Sequence, residues 1–133
     1  LANYRVGYMM SSVELANYIQ TIRLPYNLNT LSQVAAEAAF GDREFLRNTI
    51  EKNAAERVLW EQTLDEVGGT YYKSGANFIF MSVPNANGLA DAWLAKGYQV
   101  RRGQRDNWLR VTLPTASDGA IMRSILKDYM ARQ

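Results

Sequence analysis

Arg101 and Arg110 are the residues of this 133-residue chain whose types and spacing best suit chemistry. Each lies in a short run of alternating character. Tyr98 and Val100 alternate with Gln99 and Arg101, and Leu109, Val111 and Leu113 alternate with Trp108, Arg110 and Thr112. Successive side chains of a strand switch face, so both patterns turn an arginine away from the apolar layer. Two guanidiniums that converge make a planar, permanently charged fork for a carboxylate or phosphate. Two that do not converge are surface arginines flanking a hairpin, and the alternation alone leaves both readings open. Arg102 and Arg105 lie between the two runs with Gly103 and read as solvated loop residues. Arg5 sits between Tyr4 and Val6 in an apolar run. A charge inside such a run needs a buried carboxylate or a bound phosphate, and the carboxylate is the simpler expectation.

Composition narrows the chemistry further. The chain has no cysteine and no histidine, which removes disulfides, thiolate catalysis, Cys-zinc and His-metal sites and the usual serine triad. No metal site is expected. Net charge is only +2, with Arg101, Arg102, Arg105 and Arg110 clustered against Asp106 alone and an acidic stretch over 37–67. A local basic cluster on a nearly neutral chain suits a small anion better than a long polyanion, so neither nucleic acid nor membrane is expected as a partner. No run has the length of a membrane span and no signal-peptide pattern is present. With the lack of cysteine, this fits a cytoplasmic protein. The first residue is Leu1, not Met, which reads as a piece of something longer. Glu61 and Asp65 stand at helical spacing but on a polar face, where general acid–base chemistry has no cleft to work in. Tyr71, Tyr72 and Trp108 could stack on bases, and core or hydrogen-bonded roles suit them better.

The elements that must position these residues follow from pattern and punctuation. Residues 4–10 read as a strand. Ser11 and Glu14 form a capping box opening a helix that Pro25 ends, and Thr30 and Gln33 open a second that stops at Gly41. Asp42 caps a long helix to about Val67, with Leu46, Ile50, Trp60, Leu64 and Val67 on one face and Asn53 and Arg57 interrupting it. Gly68-Gly69 terminates it. Strands are expected at Tyr71-Tyr72, 78–83, 98–101 and 108–113, with a turn from Pro84 to Gly88 and a short helix from Leu89 to Ala95. Ser117 caps a last helix with Ile121, Met122, Ile125, Leu126 and Tyr129 as its stripe. From residue 42 onward, a small sheet covered by helices on one face buries these stripes most simply, an α/β (α+β) arrangement. The first strand has no obvious pairing partner in its own half.

The segments LANYRVGY (1–8), RLPYNLNTLSQVAAEAAF (23–40), GANFIF (75–80), GYQVR (97–101) and LRVTLPT (109–115), in this order and spacing, resemble the C-terminal part of a fold type I pyridoxal-phosphate-dependent aminotransferase. The similarity is greatest to the histidinol-phosphate aminotransferase group and runs along nearly all of the chain. It implies that residues 1–41 are a trailing segment of the large cofactor-binding domain, one strand and helices, and that residues 42–133 are the small C-terminal domain.

In such enzymes the cofactor-binding lysine precedes an Arg-x-Gly-Tyr strand by eight residues. Arg5-Val6-Gly7-Tyr8 matches that strand, so the lysine falls upstream of Leu1, and Lys52, Lys73, Lys96 and Lys127 do not occupy the motif. By resemblance, Arg5 binds the phosphate of pyridoxal 5'-phosphate, Arg110 holds the substrate's anionic group and Arg101 assists it. The same resemblance implies a homodimeric biosynthetic transferase working between an anionic amine donor and a 2-oxo acid. It also implies that these 133 residues by themselves are inactive. The alternative from the residues alone is a non-catalytic small-anion-binding or regulatory module using Arg101 and Arg110. A nucleic-acid binder using Arg101, Arg102, Arg105 and the aromatics is a weaker rival.

Overall fold

The computed structural model describes residues 2–103 and 107–133. The expectation for Arg105, like the charge of Asp106, falls outside the described residues. The chain forms two compact units, Leu1–Arg47 and Asn48–Gln133.

The first unit is helical. A 3-10 turn, Ala2–Tyr4, is followed by α1 (Val13–Ile22) and α2 (Thr30–Gly41). Ser12 and Asn29 cap these helices, their side chains accepting from Leu15 N and Ser32 N. The expected capping residues Ser11 and Thr30 each stand one place off the observed cap. Any Ser, Thr or Asn oxygen beside a helix start can take that bond, and sequence does not choose between neighbours. The strand expected over residues 4–10 does not form: a turn at Arg5 (φ 55°) leads into irregular backbone. A strand exists only through a neighbour that completes its ladder, and no strand of the described residues lies beside this segment. Ser32 is the one buried residue described in α2, its hydroxyl donating to Tyr4 O at 2.5 Å. Large apolar side chains stand open to solvent, Met10 at 89% and Tyr26 at 99% among them.

The helix α3 runs unbroken over Arg43–Glu66, and the division between the units falls inside it. Asp42 Oδ1 accepts from Phe45 N at 3.0 Å, as a capping carboxylate should. Its buried residues are Glu56, Trp60, Thr63 and Leu64. The apolar stripe expected from Leu46 onward is therefore corrected: Leu46 and Ile50 are exposed, and the buried face begins at Glu56. Gly68, at φ 70°, reverses the chain, and Gly69 N closes onto Leu64 O at 2.8 Å.

The second unit carries a four-stranded antiparallel sheet, β1 (Thr70–Tyr71), β2 (Phe78–Ser82), β3 (Arg101–Arg102) and β4 (Trp108–Thr112), in the order β1-β2-β4-β3. The helices α4 (Ala86–Leu94) and α5 (Ala116–Met130) complete it. β2 and β4 alternate buried and half-exposed residues along their length. One face (Ile79, Met81, Leu109, Val111) joins a single core with Trp60 and Leu64 of α3, Leu89 and Trp93 of α4, and Met122 and Leu126 of α5. Trp93 Nε1 donates to Met122 O at 3.0 Å, and its ring meets Trp60 edge-on at 5.9 Å. This is the expected short sheet with helices on one face.

Local details depart from expectation. The helix α4 begins at Ala86, because Asn85 takes a left-handed conformation (φ 47°) and its side chain caps Gly88 N. The turn therefore ends at Asn85 and does not extend to Gly88. Thr115, not Ser117, caps α5 by accepting from Asp118 N. The third strand is shorter than expected and begins later, Arg101–Arg102, so only Arg101 of the expected 98–101 lies in it. Tyr98 and Val100 nevertheless keep their alternation and pack on the core. Among the described residues no helix is long and apolar enough to cross a membrane.

Candidate anion site on the open sheet face

The sheet face turned away from the core carries Phe78 and Phe80 of β2, Trp108 and Arg110 of β4 and Arg101 of β3. Antiparallel pairing fixes this arrangement. Phe80 stands opposite Arg110, and Arg110 opposite Arg101, so the three share one face in one row. Residues directly opposite in such a ladder have Cα atoms about 4.5–5.5 Å apart. Two like charges are thereby set side by side, an arrangement that destabilises a sheet unless something compensates it.

Among the described residues no carboxylate supplies the compensation. Among the described residues the salt bridges are Lys73–Glu61, Arg102–Asp91, Arg123–Glu56 and Lys127–Glu66, and neither Arg101 nor Arg110 takes part. The Arg110 guanidinium lies 5.2 Å from the Phe78 ring centre, and its Nε is buried without a hydrogen-bond partner. A buried N–H left unpaired is costly. Beside the arginines, Tyr72, Phe80 and Trp108 stack nearly parallel, with Phe80–Trp108 at 4.6 Å and Tyr72–Trp108 at 5.1 Å. These three aromatics and Arg101, Arg102 and Arg110 line one open hollow of about 560 Å³. Arg110 on a strand between β2 and β3 is held more firmly than Arg101 on the two-residue edge.

The other residues singled out from sequence are placed as follows. Arg102, expected in a solvated loop, lies in β3, where its guanidinium donates to Asp91 Oδ1 (2.5 Å) and Asn87 Oδ1 (3.0 Å). Its parity in the strand aims it at α4, a fact that depends on where β3 begins. Arg5, expected inside a strand, stands exposed at a turn. Glu61 pairs with Lys73 at 3.3 Å and Asp65 accepts from Tyr71 at 3.2 Å, so both serve surface contacts. The Tyr71 hydroxyl is held above its ordinary value by desolvation first and by Asp65 second. Tyr98, just ahead of β3, bonds Asp118 Oδ1 at 3.2 Å, and desolvation followed by that bond raises its hydroxyl in the same way. Phe78 and Phe80 were not legible as site neighbours. FIFMS reads as a uniformly apolar strand, and only pairing with β4 shows which half of it faces Arg110.

Comparison with known proteins agrees with this architecture. The chain is 48% identical over 133 residues to the histidinol-phosphate aminotransferase of Limosilactobacillus fermentum, covering 100% of this chain and 37% of that protein. It is 47% identical over 131 residues to the enzyme of the same name from Lactiplantibacillus plantarum, again 37% of that protein. The chain thus spans little more than a third of the length of these relatives. Among solved structures, histidinol-phosphate aminotransferase from Sinorhizobium meliloti, in complex with pyridoxal-5'-phosphate, superimposes with a TM-score of 0.80 at 21% identity, over 99% of this chain and 38% of that one. The enzyme from Clostridium acetobutylicum gives 0.74 at 21% identity, over 90% of this chain and 39% of that one. The sheet with its helical cover is the fold these structures share, and the pattern of the aminotransferase class I and II family matches residues 1–125: the chain belongs to the class I and II aminotransferases.

Proposed function

We propose that this chain is the C-terminal part of a pyridoxal-phosphate-dependent aminotransferase of the histidinol-phosphate type, and that Arg110, assisted by Arg101, holds the anionic end of the amine donor. The observation that carries this reading is the pair of cross-strand arginines, in no ion pair among the described residues, with a buried, unpartnered Nε on Arg110. In the parent enzyme, residues 1–41 would be the trailing edge of the cofactor domain and 42–133 the small domain. The parent would work in the cytoplasm as a homodimer, moving an amino group from the donor to a 2-oxo acid.

What these residues do follows from their geometry. Two guanidiniums on adjacent strands can each give parallel N–H bonds to one phosphate or carboxylate. Such a grip sets both position and rotation of the donor, leaving its amine and Cα–H bond aimed in one direction. The Tyr72–Phe80–Trp108 slab shields one side of the grip from water, which strengthens the charge pairing. In the first unit, the donor chemistry of Arg5 fits the cofactor's phosphate: it is an exposed residue standing in a turn, at φ 55°. When bound, pyridoxal phosphate supplies the electron sink for the reaction. None of the chain's four lysines stands at the expected spacing from Arg5.

Two results test the reading. Inorganic phosphate titrated into the 133-residue chain should shift Trp108-dependent fluorescence saturably, with the response weakening as salt rises. A flat titration overturns the anion grip. The same chain mixed with pyridoxal phosphate, an amine donor and a 2-oxo acid should give no turnover above the cofactor alone. Measurable transamination would overturn the assignment of the nucleophilic lysine to the remainder of the parent.

A further inference from the structure

Arg101 sits on a strand of two residues at the edge of the sheet. An edge strand this short has few ladder bonds of its own, and short edge segments open readily. The next residue, Arg102, pairs with Leu109 and therefore points to the opposite, helix-covered side. There it meets Asn87 and Asp91, which stand one helical turn apart on α4. One guanidinium nitrogen donates to Asp91 Oδ1 at 2.5 Å. The other reaches Asn87 Oδ1 at 3.0 Å and Asn87 O at 3.4 Å. A planar fork spread over three acceptors of a rigid helix fixes both the place and the rotation of the strand that carries it.

We propose that Arg102, Asn87 and Asp91 form a positioning clamp that holds β3 in register, so that Arg101 stands opposite Arg110 for the anion. This rests on the anion-grip reading of Arg101 and Arg110. The clamp acts through the backbone of β3, because the Arg102 guanidinium is held by α4. α4 is itself well anchored, with Leu89 and Trp93 fully buried, and Gly103 N closes onto Trp108 O at 2.7 Å beyond the strand. The flanking backbone is thus held on both sides, and the side-chain register of β3 depends on Arg102.

The test uses inorganic phosphate as probe and exploits a difference of sign. Asp91 is a negative charge near a basic hollow, so by field alone Asp91→Asn strengthens phosphate binding. By freeing Arg102 to reach the ligand it would strengthen binding again. The clamp requires the reverse. Asp91→Asn should weaken phosphate binding about three- to fivefold, the scale of one exposed charged pair. It should also speed amide exchange at residues 101–102 and lower the tryptophan-monitored unfolding midpoint by no more than the loss of one exposed ion pair does. Asp91→Glu, which keeps the carboxylate, should bind nearly as the parent chain does. Arg102→Lys, which keeps the charge and loses the fork, should behave like Asp91→Asn. Unchanged or tighter binding in Asp91→Asn overturns the clamp. Equal phosphate affinity in the parent chain and Arg110→Gln instead overturns the anion grip itself, so the two failures are distinct.

Discussion

Glu56→Ala should lower the stability of the 48–133 unit by about 3–5 kcal/mol, the scale observed when one partner of a buried ion pair is removed. Glu56 pairs with Arg123, and their side chains are only 5% and 11% exposed. Removing the carboxylate leaves a guanidinium in the interior with nothing to neutralise it. Gly119 shows how closely the surroundings are fitted to the pair: a Cβ there would overlap Glu56 Oε1 and crowd Arg123. Trp60, Trp93 and Trp108 are the chain's three tryptophans, so urea unfolding followed by their fluorescence reports on this unit alone. The midpoint should fall in Glu56→Ala with the denaturant slope unchanged. Replacing both partners by methionine should recover much of the loss, because the penalty belongs to the widowed charge more than to the missing attraction. Loss in the double variant equal to that in Glu56→Ala would contradict this account.

The Glu56–Arg123 pair also marks what the sequence could not disclose. The two residues are far apart along the chain and belong to α3 and α5, so only tertiary packing brings them together. In the sequence Glu56 is one of several acids in the stretch 37–67, and the apolar stripe from Leu46 and Ile50 to Val67 is the expected core face. Local rules worked where the controlling interaction is local. Gly68-Gly69 ended α3 and Asp42 began it, because a cap needs only its own turn. The alternation about Leu109 and Val111 told which way Arg110 points, because pleating alone decides it. Rules failed where a partner decides the outcome. Tyr4 to Met10 has strand-forming residues, and among the described residues no strand pairs with it; Arg102 reads as a loop residue in the sequence, and only α4 supplies its partners Asn87 and Asp91. The resemblance to aminotransferases reached further than any single motif because order and spacing encode tertiary neighbours indirectly.

Arg110→Gln should reduce affinity for inorganic phosphate about 10- to 100-fold, corresponding to the ~1.5–3 kcal/mol carried by a hydrogen bond to a charged group. Arg110→Lys should lose less, since it keeps the charge and forfeits only the fork. Arg101→Gln should lose least of the three, because Arg101 is exposed on the sheet edge whereas Arg110 is half-buried against Phe78. Stability without ligand should move the other way. Arg101 and Arg110 are direct cross-strand partners, and relieving like charges at that spacing is worth about 0.2–1 kcal/mol. Arg110→Gln should therefore unfold at an equal or higher urea concentration than the parent chain when phosphate is absent. With phosphate present the order should reverse, because binding to the folded state stabilises only the chain that still binds. This crossing separates a site strained for its ligand from a pair of surface arginines. Surface arginines would give two parallel unfolding series that phosphate does not reorder, and that outcome would remove the physical basis for an anion grip on this sheet.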